Sequence, residues 1–120
     1  VQIGTAVCNL ENDEVEDENI VKAKVLLENN IGYVKDFKRK ISSKLNYYHH
    51  IGIYAFRPNV LKKFINLNQS KNEVQRKLEQ LRAMDNNLKI KTVKVDYNPP
   101  SVDTINDLRK IRLIFKKNKL

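Results

Sequence analysis

The sequence predicts a single α/β or α+β domain with about five strands. Three observations carry this. Segments with period-two alternation fill the first half of the chain. Segments with helical periodicity follow, and one more alternating segment interrupts them. At 120 residues the chain is one domain at most.

The elements follow in order. Val1 to Leu10 alternates Val1, Ile3, Thr5 and Val7, a strand signal. Glu11 to Asn19 is an acidic loop. Ile20 to Leu27 sets an apolar face against one carrying Lys22 and Lys24, and predicts a half-buried strand with the lysines on the solvated side. Glu28 to Gly32 has the composition of a turn. Tyr33 to Phe37 returns as a second strand, so 20–37 reads as a hairpin. Lys38 to Asn46 is a polar, basic loop.

Tyr47 to Phe56 is the clearest strand. Alternation puts Tyr47, His49, Ile51, Ile53 and Ala55 on one face, which reads as core at its C-terminal end. Tyr48, His50, Gly52, Tyr54 and Phe56 take the other face, where a glycine between His50 and Tyr54 leaves space for a ligand. Pro58 suits the first turn of a helix running to about Leu67. Ser70 and Glu73 form a capping box for a helix over 71–85, with Val74, Leu78 and Leu81 as its core stripe. Leu88 to Val95 alternates as a strand, and Pro99-Pro100 stiffens the loop after it. Thr104 and Asp107 cap a terminal helix striped by Ile105, Leu108, Ile111 and Phe115. Lys116, Lys117 and Lys119 lie at its C-terminal end, where the macrodipole favours cations. The order is β-β-β-β-α-α-β-α, and a helix pair between strands fits half of an open α/β sheet.

Composition narrows the function classes. Hydrophobic residues are 41%, charged residues 31%, and glycine and proline are scarce at three each, which excludes collagen-like and Pro/Gly-rich disordered chains. One cysteine, Cys8, excludes an internally stapled scaffold, and in an apolar strand it reads as buried and inert. No apolar run reaches the roughly 20 residues of a membrane span, and no signal peptide is visible. The expectation is a cytoplasmic protein without a membrane partner. The first residue is Val1 and lies inside a strand, so the sequence is expected to be a fragment or a processed chain.

The formal net charge is +9, unevenly spread. Residues 1–30 hold seven acids and two lysines, a balance of −5; residues 31–120 hold 21 bases and seven acids, a balance of +14. The plain reading is a lysine-rich solvated surface; the sharper one is a groove for an anionic ligand. A basic nucleic-acid-binding module is the alternative, although no RNP-like strand, GXXG loop or basic recognition helix supports it.

No P-loop, GxGxxG, HExxH or CxxC is present. His49 and His50 point to opposite faces of a strand and cannot chelate one ion together. His50 beside Tyr54 is either a polar ligand contact or a packed histidine bonded to a neighbour. Glu79, Gln80 and Arg82 lie on a helix, where the plain reading is surface ion pairing. Asp103 is either a capping residue or a magnesium ligand, since Mg²⁺ needs only one or two protein carboxylates.

Together these segments resemble a known family. Tyr48–Phe56 (YHHIGIYAF), Lys77–Met84 (KLEQLRAM) and Pro100–Leu108 (PSVDTINDL) are similar to the C-terminal half of 3-deoxy-manno-octulosonate cytidylyltransferase, the CMP-Kdo synthetase. Gly32 to Arg39 matches the family's GYxxxFxR strand, and Thr5-Ala6-Val7 and Asn19 to Lys22 match the region before it. The resemblance covers nearly the whole chain. It implies the C-terminal half of a Rossmann-like nucleotide-sugar transferase sheet, with flanking helices and a dimerisation hairpin, spanning residues 1–120. It implies transfer of CMP from CTP to Kdo, for lipopolysaccharide synthesis, with Mg²⁺ as cofactor and a homodimeric assembly. A cytidylyltransferase for another acidic sugar is the neighbouring possibility.

Residue by residue, the resemblance implies that Asp103 binds magnesium and that His50 and Tyr54 face the sugar. Glu79 and Gln80 would hold sugar hydroxyls, and Arg39 would meet the sugar carboxylate. Lys38 stands where the family has serine, and the Ile-Pro that follows there is missing. Arg76 replaces a common Glu and reads as a surface change. The Arg/Lys-rich loop that grips CTP and the QGDEP aspartate of the family's N-terminal half do not occur in this chain. The chain by itself is therefore expected to show no turnover.

Overall fold

A computed structural model describes residues 1–118; Lys119, assigned above to the end of the last helix, lies outside the described residues. Five strands carry the fold: β1 (Ile3–Cys8), β2 (Lys22–Val25), β3 (Ile31–Lys38), β4 (Tyr47–Phe56) and β5 (Ile90–Lys94). The helices are α1 (Pro58–Ile65), α2 (Lys71–Arg76), α3 (Leu81–Asp85) and α4 (Ile105–Asn118), with a 3₁₀ turn at Asn12–Glu14. The strands close on themselves in the order β1-β4-β2-β3-β5, with β5 returning to β1. Only β1 and β5 run parallel among the described pairs; the others are antiparallel. An open half-sheet would leave two unpaired edges, and closure removes them.

Alternation explains β1. Ile3, Thr5 and Val7 face inward and are buried. The β2–β3 turn places Asn29 and Asn30 at φ 54° and 64°, the left-handed region asparagine tolerates. Gly32 follows, where an added Cβ would lie 2.6 Å from the Leu26 carbonyl oxygen and 2.8 Å from the Val25 side chain. Phe37 crosses to Ala23 and both are fully buried, a contribution of about 2–3 kcal/mol from the Phe ring.

Three expectations need correction. The first is the sidedness of β4. Tyr48, Tyr54 and Phe56 pack on the core, whereas Ile53 is 64% exposed and Ala55 is exposed. Register decides this: Tyr48 pairs with Ala23 and Tyr54 with Thr5, both of which face inward. An aromatic row follows, with ring centroids 4.9 Å apart for Phe37–His50, 5.4 Å for His50–Tyr54, 6.2 Å for Tyr54–Phe56 and 5.4 Å for Phe56–Phe64.

The second is the helix over 71–85. It starts at the predicted Ser70–Glu73 capping box but ends at Arg76. Lys77 turns left-handed (φ 57°), and the chain restarts as α3 at Leu81. Leu78 and Leu81 reach the core, but Val74 is 58% exposed. The third is the apolar stripe of α4. The Thr104–Asp107 capping box forms, yet no α4 residue is buried; Ile105 is 66% and Phe115 50% exposed.

Candidate sugar and metal site

Two of the cavities beside β4 hold candidate site residues. The first, of about 670 Å³, lies between the acidic loop (Glu14, Asp17), the β4 residues His49, His50 and Gly52, and the start of α4 (Asp103, Thr104, Asp107). The second, of about 370 Å³, is lined by Tyr54, Glu79 and Gln80 among apolar neighbours. His50 and Tyr54, whose rings touch, thus stand on different cavities. Arg39 lines neither. Its guanidinium donates to the backbone carbonyls of Glu18 (3.0 Å) and Lys77 (3.2 Å).

A bulge aims His50. The β1–β4 register passes from Thr5–Tyr54 to Ala6–Ile51, leaving Gly52 and Ile53 as extra residues in β4. The Thr5 hydroxyl fills the bulge and donates to the Ile53 carbonyl at 2.7 Å. Its single proton is thereby used, so it accepts from Nε2–H of His50 at 3.0 Å. Nδ1 of the neutral ring remains as an acceptor. Burial, reinforced by the neighbouring His49, pushes the His50 pKa down to about 4. Tyr54 moves the other way: burial, and then the nearby Glu79 carboxylate, raise its phenol well above the usual value. At neutral pH the pair is an uncharged acceptor beside an uncharged donor, suited to hydroxyl groups. His49 points away from His50 and bonds Glu14 Oε2 at 3.0 Å.

The donors around the first cavity differ in what they have free. Glu14 bonds the Glu11 N–H and His49, and Asp17 bonds the Asn19 N–H. Asp107 accepts from the Asp103 and Thr104 N–H groups, which hold its carboxyl below the usual range. Asp103 is exposed and receives only the Ser101 hydroxyl, at 3.5 Å. Its lone pairs are available. No group of three or more His, Cys, Asp or Glu could hold a metal ion among the described residues. One free carboxylate nevertheless fits a magnesium ion that takes its other oxygens from phosphate and water.

Sequence reasoning missed several supports. Lys22, assigned to the solvated face, is fully buried, and its ammonium donates to the Asp17 carbonyl (2.6 Å) and the Arg39 carbonyl. Arg76, read as a surface change, pairs with Asp36 at 2.7 Å and also reaches the Phe37 carbonyl. Thr5 gave no signal beyond its inward position, because its role depends on a bulge in a distant strand. Cys8 is buried as expected, and burial, then Glu14 and Glu11, push its thiol pKa up.

The sequence profile of the cytidylyltransferase family matches residues 1–90, so the chain belongs to that family. Among its relatives is the 3-deoxy-manno-octulosonate cytidylyltransferase of Paramagnetospirillum magneticum, 38% identical over 97% of this chain and 49% of that protein. The enzyme of the same name from Bartonella tribocorum is 49% identical over 56% of this chain and 28% of its own length. A solved CMP:2-keto-3-deoxy-manno-octonic acid synthetase complexed with CTP superposes with a TM-score of 0.84 at 30% identity, covering 98% of this chain and 50% of that one. The chain spans about half the length of the relatives it matches along nearly its full extent. No described helix is long and apolar enough to cross a membrane.

Proposed function

We propose that residues 1–120 are the C-terminal, sugar-binding and dimerisation half of a CMP-Kdo synthetase. The full-length enzyme joins CMP from CTP to the anomeric hydroxyl of Kdo. The sugar oxygen attacks the α-phosphate, the bond to the β-phosphate breaks, pyrophosphate leaves and the hydroxyl proton is lost. The observation that carries the reading is the placement of His50, Tyr54, Glu79 and Gln80 on adjoining cavities, in a chain that matches half of such enzymes.

Each residue then has a task. Neutral His50 accepts from a sugar hydroxyl, and protonated Tyr54 donates to one. The Glu79 carboxylate and Gln80 amide hold further hydroxyls. Arg39 lines neither cavity; two of its five N–H donors are engaged, so it would meet the sugar carboxylate only where the sugar extends past the cavity rim. Asp103 would hold magnesium, which supplies charge neutralisation at the phosphates when bound. The hairpin β2–β3 exposes Leu26 (64%), Ile31 (45%) and Tyr33 (43%), apolar area that supports its reading as a dimer contact.

The test is titration of the chain with Kdo, another acidic sugar, CTP and an RNA, the RNA arm repeated in raised salt. Kdo binding that is lost in Tyr54→Phe and Glu79→Gln supports the reading. Salt-sensitive RNA binding without Kdo binding replaces it with the nucleic-acid module. A pyrophosphate-release assay with CTP, Kdo and Mg²⁺ is expected to show no turnover by this chain alone; clear activity would overturn the half-enzyme assignment.

A further inference from the structure

The segment carrying Glu79 and Gln80 is the connection between two helices of six and five residues. Helices this short do not hold themselves in place. Yet the connection is built to one shape. Lys77 sits left-handed, and its N–H and that of Leu78 both reach the Glu73 carbonyl. The Lys77 carbonyl is taken by Arg39 from the end of β3.

Beneath the connection lies an ion pair. Glu73 is 5% exposed, and its two carboxylate oxygens receive a fork from Arg82: Nε to Oε1 at 2.9 Å and Nη2 to Oε2 at 2.6 Å. Oε1 also accepts the Ser70 N–H at 3.0 Å, so one carboxylate caps α2 and grips α3. The guanidinium stacks 5.1 Å above the Phe64 ring of α1. Arg82 is the foremost influence holding the Glu73 carboxyl below the usual range, so the pair stays charged near neutrality. A buried ion pair is a poor source of net stability compared with apolar packing, whereas a two-bond fork fixes distance and angle together.

We propose that Glu73 and Arg82 are positioning residues: they hold the 77–80 connection in one conformation so that Glu79 and Gln80 face Tyr54 ready for the sugar. The part concerning the sugar rests on the function proposed above; the part concerning the connection does not. Neither residue lines the cavity, so neither touches the ligand.

The experiment uses the whole chain with Glu73→Gln and Arg82→Lys. Glu73→Gln keeps the cap and weakens the fork; Arg82→Lys keeps the charge and loses the planar geometry. Hydrogen exchange is read at the Leu78, Leu81 and Ala83 amides, which bond to Glu73, Leu78 and Gln80. The expected result is exchange faster by about tenfold or more there, with β1 and β4 amides unchanged in either variant. Kdo affinity, read on the same samples, falls by about tenfold or more, as misplaced contacts cost binding. Unchanged exchange at those three amides overturns the positioning role. Faster exchange with unchanged Kdo affinity overturns its purpose. Wild-type chain that binds no Kdo sinks the sugar reading, and the exchange result still decides whether the pair holds the connection. Should Glu73→Gln not fold, Arg82→Lys decides the matter by the same two readings.

Discussion

His50 enters the fold neutral, and this makes stability depend on pH. Its folded pKa, about 4, lies below the 6.5 of an unperturbed imidazole. Between these values the unfolded chain binds a proton that the folded chain does not. Stability is therefore full above about pH 6.5 and is lost as pH falls toward 4, by a few kcal/mol at most. Urea unfolding across that range checks the slope, and His50→Asn should flatten it. Thr5→Val removes the only described partner of Nε2–H and the donor to the Ile53 carbonyl. It should cost about 1–3 kcal/mol and weaken Kdo binding, with denaturant midpoints and calorimetry as the readouts. Lys22→Met leaves two carbonyls without their shared donor and should lower stability by a similar amount, about 1–3 kcal/mol. Lys22 also shows why a side chain's face was legible when its environment was not. Alternation correctly set it opposite Ala23, but the acidic loop that supplies a carbonyl above it joins only in the folded chain.

At the scale of elements, the strands were the most legible. β4 was found residue for residue at Tyr47–Phe56, because its aromatic and β-branched residues favour an extended chain. Its two faces were then assigned the wrong way round at the C-terminal end. Both faces carry apolar groups, and only pairing with Thr5 and Ala23 distinguishes them. The split of the 71–85 helix had no local signal either, since Lys77 is a good helix former. The break follows from the buried Glu73–Arg82 fork, which requires α3 to return toward α2. A different steric constraint governs the β2–β3 hairpin. Gly32→Ala would drive a methyl group into the Leu26 carbonyl and should destabilise by about 1–3 kcal/mol, measured by thermal unfolding. Loss larger at β2–β3 amides than elsewhere in hydrogen exchange would place the damage in that hairpin.

For the whole molecule, closure of five strands makes a core to which α4 contributes no buried residue. Deleting residues 105–120 should therefore shift the melting temperature by no more than about 2 °C, a calorimetric comparison. A much larger fall would mean that α4 supports the core after all. Self-association is the matching expectation for the exposed hairpin: sedimentation should show a dimer that Leu26→Lys with Tyr33→Lys converts to monomer, and a monomeric wild type counts against the dimer. By itself the sequence determined element type, the capping boxes and the segments HIGIYAF, LEQLR and VDT that carry the family resemblance, because all of these are local in the chain. The family resemblance, rather than local chemistry, singled out His50, Tyr54, Glu79, Gln80 and Asp103, which line the two cavities, together with Arg39, which lines neither. Only the tertiary structure decided that His50 is kept neutral by burial and oriented by Thr5, that Arg39 grips backbone carbonyls, and that a buried fork lies beneath the Glu79–Gln80 connection. Those partners lie from nine to 45 positions away, and what joins them is strand register and burial, which no short window of sequence contains.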